Sequence, residues 1–327
     1  MKIFALSGSI FVCGAIVLNP ASAHEYTAGM KAKKYAEVES AVNTKLLADP
    51  HYAPALITKA ELILIDGNEK RLDDAAKYAE TCIAQHPDNS ECYDVMGSVL
   101  GTKAMRGGIM SAMGYVGKIR DSFQKAVELD PKNYAARSHL LTFYLQAPGF
   151  VGGDKGKAQA LIVETSKINP VAASLLQATA NLSEDKFAEA ENLASAAKVS
   201  DADRLIDQQR AILTNLGHAY IAQKKFADSD RIFRDLIKRY PESPDGYFGL
   251  GKSLLIQGKQ KDAIASLDAA LEIEENARTY YRLGQCWQQL QDKAKAINAY
   301  EKALTARQQL NSQTKTEIQD QLKSLRT

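Results

Sequence analysis

The stretch Gly149-Phe150-Val151-Gly152-Gly153-Asp154-Lys155-Gly156-Lys157 is the part of this 327-residue chain that comes nearest to a phosphate-binding loop. Such a loop wraps backbone N–H groups around phosphate oxygens. It needs glycine at position 151 and Ser or Thr at position 158, and a strand leading into it. Val151 and Ala158 stand there instead, and no strand pattern precedes them. The segment reads as a lengthened turn between helices, with glycine supplying unusual backbone angles and Asp154 an N-cap. The five histidines, His24, His51, His86, His139 and His218, do not recur at helical spacing, and no carboxylate and histidine cluster has metal-site spacing. No Ser, His and Asp grouping exceeds what the composition supplies by chance. Neither catalytic residues nor a cofactor nor a metal site is expected, and the chain reads as non-enzymatic.

Composition narrows the class further. Lys and Arg number 41 against 39 Asp and Glu, a formal charge of +2, which gives no broad basic field for nucleic acid. A 45% hydrophobic, 24% charged chain is not a disordered one, and a 7% aromatic share in an Ala-rich sequence favours helices over a β-sandwich. Lys2, the uncharged apolar run 3–18 and Ala21-Ser22-Ala23 form the pattern of a cleavable signal peptide, residues 1–23. An exported protein of a bacterial periplasm is expected, with no transmembrane segment in the mature chain, because no later run is long and apolar enough to span a bilayer.

The elements that would position any site emerge from a repeat. Pro50, Pro87, Pro131, Pro170 and Pro241 are 37, 44, 39 and 71 residues apart, and proline ends or begins helices rather than crossing them. Leu213, Leu216, Gly217 and Tyr220 lie on one helical face and precede Phe226, Ser229, Phe233 and Leu236 on a second helix. Tyr247, Leu250, Gly251 and Leu254, then Ala263, Leu267 and Ala270, repeat the arrangement. Tyr280, Leu283, Gly284 and Trp287, then Ala296, Tyr300 and Ala303, repeat it again. This resembles the tetratricopeptide repeat, with its W-x2-L-G-x2-Y, A-x3-F and closing A and P.

The resemblance implies an all-α fold, an α-α superhelix of antiparallel helix hairpins with a C-terminal capping helix. Well-matched copies span 206–310 and degenerate ones 53–205, with excess residues at about 101–118 and 147–156. An N-terminal helical half repeat covers 24–52 and the cap 311–327. Cys82 and Cys92 then fall on facing helices of adjacent units. They are candidates for a disulfide in an oxidising compartment, against the alternative of two small buried side chains. Cys286 reads as a buried thiol. The 101–118 excess carries Met105, Met110 and Met113 among glycines. It is expected to fold back over the solenoid's own core, with partner or membrane contact and a thioether copper site as alternatives.

The same resemblance implies a concave groove that receives a protein or peptide. It places Asn215, His218, Phe248, Lys252, Arg278, Tyr281, Arg282 and Gln285 on that surface. Lys252, Arg278 and Arg282 would bond a peptide carboxylate, Asn215 its backbone, while Phe248 and Tyr281 would pack its side chains. Chaperone-binding members of the family use a Lys/Asn clamp, whereas Thr214, Phe248 and Tyr281 occupy the corresponding fifth positions here. The expected function is that of a non-catalytic scaffold or adaptor in a cell-envelope complex. The alternatives are an accessory or catalytic envelope protein with a site built by the two inserts, and a metal-handling role through the methionines and His24.

Overall fold

The computed structural model describes residues 25–200 and 205–327. The signal-peptide reading of residues 1–23 and the metal option at His24 lie outside them. The described residues hold seventeen α-helices and no strand. A short opening hairpin, α1 (Thr27–Lys31) and α2 (Tyr35–Ala48), is followed by α3 (Ala53–Asp66) with α4 (Leu72–Gln85), and α5 (Ser90–Arg106) with α6 (Gly108–Leu129). Next come α7 (Tyr134–Gln146) with α8 (Lys155–Ile168), and α9 (Pro170–Ser183) with α10 (Phe187–Ala196). The remaining pairs are α11 (Ile206–Ala222) with α12 (Phe226–Arg239), α13 (Pro244–Ile256) with α14 (Gln260–Ile273), and α15 (Ala277–Gln289) with α16 (Lys293–Thr305). The single helix α17 (Ser312–Arg326) ends the stack.

Local chemistry sets these boundaries. Asn89, Asn133, Asn169, Ser243, Asn276 and Asn311 accept bonds from free N–H groups at the starts of α5, α7, α9, α13, α15 and α17, each such cap stabilising a helix by about 1 kcal/mol. Pro170 and Pro244 sit in first turns, where no N–H is missed. Within each hairpin the helices approach closely because glycine faces a large side chain. A Cβ on Gly97 would lie 2.4 Å from the Phe123 ring, one on Gly217 2.6 Å from Phe233, and one on Gly284 2.5 Å from Tyr300. Phe123, Phe233 and Tyr300 are buried against those gaps. Arg137, fully buried, ties α7 to α8 and to the turn that precedes α7: it donates to Pro131 O at 2.6 Å, to Thr165 Oγ1 at 3.1 Å and to Glu164 at 2.8 Å.

The excess residues at 101–118 fold back over the solenoid's own core, with Ala104 buried in it and Ala112, Tyr115 and Val116 partly buried against it. They lengthen a hairpin: α5 runs to Arg106, α6 restarts at Gly108, and Gly107 alone joins them. Met, Ala, Lys and Arg are good helix formers, and that outweighs the scattered glycines. Met105 and Met113 point outward, about half exposed. At 147–156, Gly149–Val151 make one 3-10 turn, Gly152 adopts φ +106°, and Asp154 accepts from Lys157 N at 3.0 Å to start α8.

Successive first helices touch one another: α3 meets α5, α5 meets α7, α7 meets α9, and the series continues through α11, α13 and α15. Successive second helices have no comparable contact among the described residues. In a curved stack the row whose members touch is the inner one, so the first helices line the concave face. The curvature brings the ends together. Gln309 N donates to Asp66 O at 2.7 Å, and Arg307 binds Asp66 at 2.7 Å and Glu39 at 2.6 Å. Lys33 Nζ lies 3.7 Å from Glu274. Asp66 closes α3, whereas Glu274 follows α14 and Arg307 to Gln309 precede α17, so opposite edges of the ribbon meet after one superhelical turn.

Candidate functional site

The inner row of α11, α13 and α15 carries the residues singled out above. Gly217, Gly251 and Gly284 face inward against their own second helices, so the residue after each one, His218, Lys252 and Gln285, points to the concave side. Arg278 stands in the first turn of α15 and is exposed; Arg282 is one turn further on and half-buried. Lys252, Arg278 and Arg282 have no ion-pair partner among the described residues. Each of the three also bears on His218, whose imidazole is pushed down to about 3, first by burial and then by these cations. Lys252 is itself held below the usual lysine range by burial and by the two arginines. The structure thus brings three cations and one neutral imidazole into one field.

His218 defines the floor of that field. Its ring lies 5.3 Å from Phe233 and meets Phe248 edge-on at 6.4 Å, while Nδ1 is buried without a hydrogen-bond partner. A buried polar atom left unpaired costs about 1–3 kcal/mol. Asn215 and Phe248 are half-buried beside it. An anion seated here would meet three donors in a partly desolvated setting, where charge-assisted bonds are about twice as strong as neutral ones.

Tyr281 is not available to a ligand in the way its position suggests. It is buried, stacks against Tyr300 at 6.3 Å, and donates to Glu317 of α17 at 2.5 Å. The capping helix takes the place that a further first helix would fill. Gln285 donates to Tyr281 Oη at 2.8 Å and accepts from Arg282 at 2.7 Å, which orients that guanidinium. Cys286 is fully buried and its thiol is pushed up to about 12 by burial, so it offers no thiolate chemistry.

A second charged set, missed in the sequence, lies on the inner row of α3, α5 and α7. Glu61, Glu91 and Asp94 approach one another there, and Asp94 bonds His139 Nδ1 at 2.8 Å. Burial, followed by the Glu91 and Asp94 carboxylates, raises Glu61 well above the ordinary carboxylate range. The signal that could have found it is positional: Glu61 follows Ala60 as Lys252 follows Gly251. No group of three or more His, Cys, Asp or Glu among the described residues has a metal-holding arrangement. Cys82 and Cys92 are joined by a disulfide with Cα atoms 5.4 Å apart, linking α4 to α5. On α14, α15 and α16 a separate cleft of about 510 Å³ is lined by Leu271, Tyr280, Leu283 and Trp287. Lys302 and Lys295 lie over the Tyr280 and Trp287 rings at 5.4 and 4.2 Å.

Inner helices with an inward glycine, outer helices with a ring against it, and an open concave face define a helix-hairpin solenoid. Residues 214–279 and 277–309 match the family described as tetratricopeptide repeat, and residues 214–309 of this chain are such repeats. Repeats of this family generally form non-catalytic scaffolds and bind protein partners. The CTR9 homolog of Arabidopsis thaliana is 26% identical over 206 residues, 58% of this chain and 18% of its own, so the chain spans under a fifth of that relative's length. A tetratricopeptide repeat protein from Parabacteroides merdae is 18% identical, with 84% of this chain and 99% of that one covered and a TM-score of 0.44. Human IFIT1, solved as a dimer with PPP-AAAA, is 17% identical over 89% of this chain and 70% of its own, with a TM-score of 0.48. No described helix is long and apolar enough to cross a membrane.

Proposed function

We propose that this chain is a non-catalytic, exported scaffold that binds an acidic segment of a protein partner along the inner face of α11, α13 and α15, and so supports assembly of a cell-envelope complex. One observation carries the reading. Lys252, Arg278 and Arg282 are held in a common field around His218 with no carboxylate among the described residues in an ion pair with them. Like charges placed together lower stability unless a ligand supplies the opposite charge, and a groove formed by successive inner helices suits an extended peptide. Export is supported by the pattern at residues 1–23 and by the Cys82–Cys92 disulfide, a bond that persists in oxidising compartments.

The test compares recovery of partners from an envelope extract by the wild-type chain and by the Lys252→Glu plus Arg282→Glu variant. Both substituted side chains lie at the groove surface, so the fold is retained and the pattern of recovered proteins changes. Identical recovery by the two would contradict the reading.

A further inference from the structure

Arg278, Arg282 and Gln285 occupy positions i, i+4 and i+7 of α15 and so form one column along its inner face. On the neighbouring α13, Phe248 and Lys252 stand one turn apart on one side, and the His218 ring of α11 meets Phe248 edge-on at 6.4 Å. Three successive inner helices thus turn Lys252, Arg278, Arg282 and His218 toward one place, where all three cations bear on the imidazole. All four residues are reachable: Arg278 is exposed and the other three are half-buried. The Arg282 guanidinium is held in orientation by the 2.7 Å bond from Nη1 to Gln285 Oε1 and by the Tyr281 ring, whose centroid lies 5.1 Å away. Its remaining N–H groups form a fork that suits an oxyanion bidentately.

His218 completes the set as a donor without charge. Burial, then the three cations, keeps its ring neutral at ordinary pH, and Nδ1 is enclosed without a hydrogen-bond partner. A neutral imidazole carries one N–H. Placing it on the enclosed Nδ1 would orphan a donor, so it sits on Nε2, the edge left toward the groove. Lys252, the two arginines and this N–H all donate, and none of the three cations is in an ion pair among the described residues. A side-chain carboxylate brings one charge and two oxygens, which a single guanidinium fork already uses. A phosphate monoester brings nearly two charges and three free oxygens, enough for the fork, the ammonium and the imidazole together.

From this convergence we infer that the groove reads a phosphate monoester on its polypeptide ligand, seated where Lys252, Arg278, Arg282 and His218 meet. The inference rests on the groove reading above and names the group that carries the ligand's negative charge there. Arg282 takes two phosphate oxygens, Lys252 and Arg278 supply the remaining positive charge, and His218 Nε2–H donates to the third oxygen. A nucleic-acid backbone spreads single charges along its length and calls for a run of cations. Here the cations form one cluster on α13 and α15, flanked along the inner row by the uncharged Asn215 and Gln285.

The test uses labelled peptides of about 12 residues, long enough when extended to cross α11, α13 and α15. They share one Asp/Glu-rich sequence and differ only in a central phosphoserine, Glu or Ser. Fluorescence anisotropy with the full wild-type chain at physiological salt reads the affinities. The phosphoserine peptide is expected to bind about tenfold or more tightly than the Glu peptide near neutral pH, and that advantage should shrink below pH ~6, where the phosphate keeps one charge. His218→Phe retains a ring against Phe233 and Phe248 but removes the N–H donor. It is expected to narrow the phosphoserine-to-Glu ratio severalfold without lowering the melting temperature, whereas a merely structural His218 would leave that ratio unchanged. Equal affinity of the phosphoserine and Glu peptides, both lost in Lys252→Glu plus Arg282→Glu, would overturn the inference and leave the groove reading standing. A single-stranded oligonucleotide without terminal phosphates that bound as tightly as the phosphoserine peptide would overturn it in favour of a nucleic-acid backbone. Failure of all three peptides to bind wild type would overturn both the inference and the groove reading.

Discussion

Arg307 Nε lies 2.7 Å from a carboxylate oxygen of Asp66, across 241 residues of chain. The same guanidinium reaches Glu39 at 2.6 Å, and the adjacent backbone bond from Gln309 N to Asp66 O, 2.7 Å long, completes the closure. Repeat solenoids are stabilised by neighbour contacts, so an end-to-end contact of this kind changes their mechanics. It converts an open spring into a closed turn and fixes the width of the interior.

Arg307→Ala leaves Asp66 and Glu39 with Arg71 and Lys59 as their remaining cations. Loss of two charge-assisted bonds in a partly buried network is expected to cost about 1–3 kcal/mol. Small-angle scattering should show a larger radius of gyration than wild type as the ends part. An unchanged scattering profile would mean that inter-repeat packing alone sets the curvature.

How much of this was legible in the sequence differs by feature. Gly217 with Phe233, and Gly284 with Tyr300, are contacts inside one hairpin, so their spacing repeats and the eye can find it. Asp66, Glu39 and Arg307 are ordinary surface types whose pairing depends on the sum of small rotations over seven hairpins, which no local pattern encodes. The groove positions followed from the repeat register, but Tyr281 is covered because Glu317 of α17 reaches it, a contact between elements of unlike sequence. Glu61 escaped notice because its helix has Ala60 where the strong copies have glycine. The 101–118 excess was visible as inserted length, but its glycines mask the Met, Ala, Lys and Arg content that sustains two long helices.

The glycines themselves give a paired prediction. Gly217→Ala would set a Cβ 2.6 Å from the fully buried Phe233 ring, and overpacking of this kind costs about 1–3 kcal/mol. Gly101, inside α5, has nothing within 4 Å of an added Cβ. Gly101→Ala should stabilise by about 0.5–1 kcal/mol through helix propensity alone. Thermal melts of the two variants, run beside wild type, should therefore move in opposite directions.

His218 sets a pH dependence whose sign is fixed. Burial, then Lys252, Arg278 and Arg282, hold its folded value down to about 3, against an unfolded value near 6.5. A depressed value means that the unfolded chain takes up the proton first, so the contribution is present above pH ~6.5 and is lost as the pH falls toward 3. His139 acts in the opposite sense. Burial lowers its value, but the Asp94 carboxylate more than offsets this, so its contribution is full below pH ~6.5 and is lost as the pH rises through its raised folded value. Denaturant titrations of wild type and His218→Gln at several pH values isolate the first effect. The stability difference between them should shift in favour of the variant by up to about 1.4 kcal/mol per pH unit below pH ~6. A pH-independent difference would show that His218 is solvated.

The claim on which the account turns is that Lys252, Arg278 and Arg282 form a receiving surface for an acidic polypeptide. Titration of a labelled Asp/Glu-rich peptide of about 12 residues against the purified wild-type chain and the Lys252→Glu plus Arg282→Glu variant tests it most directly. Binding to wild type should weaken with added salt, and the variant should lose about tenfold or more in affinity at unchanged melting temperature. Equal affinity of the two chains for that peptide, or no binding by wild type at low salt, would contradict it.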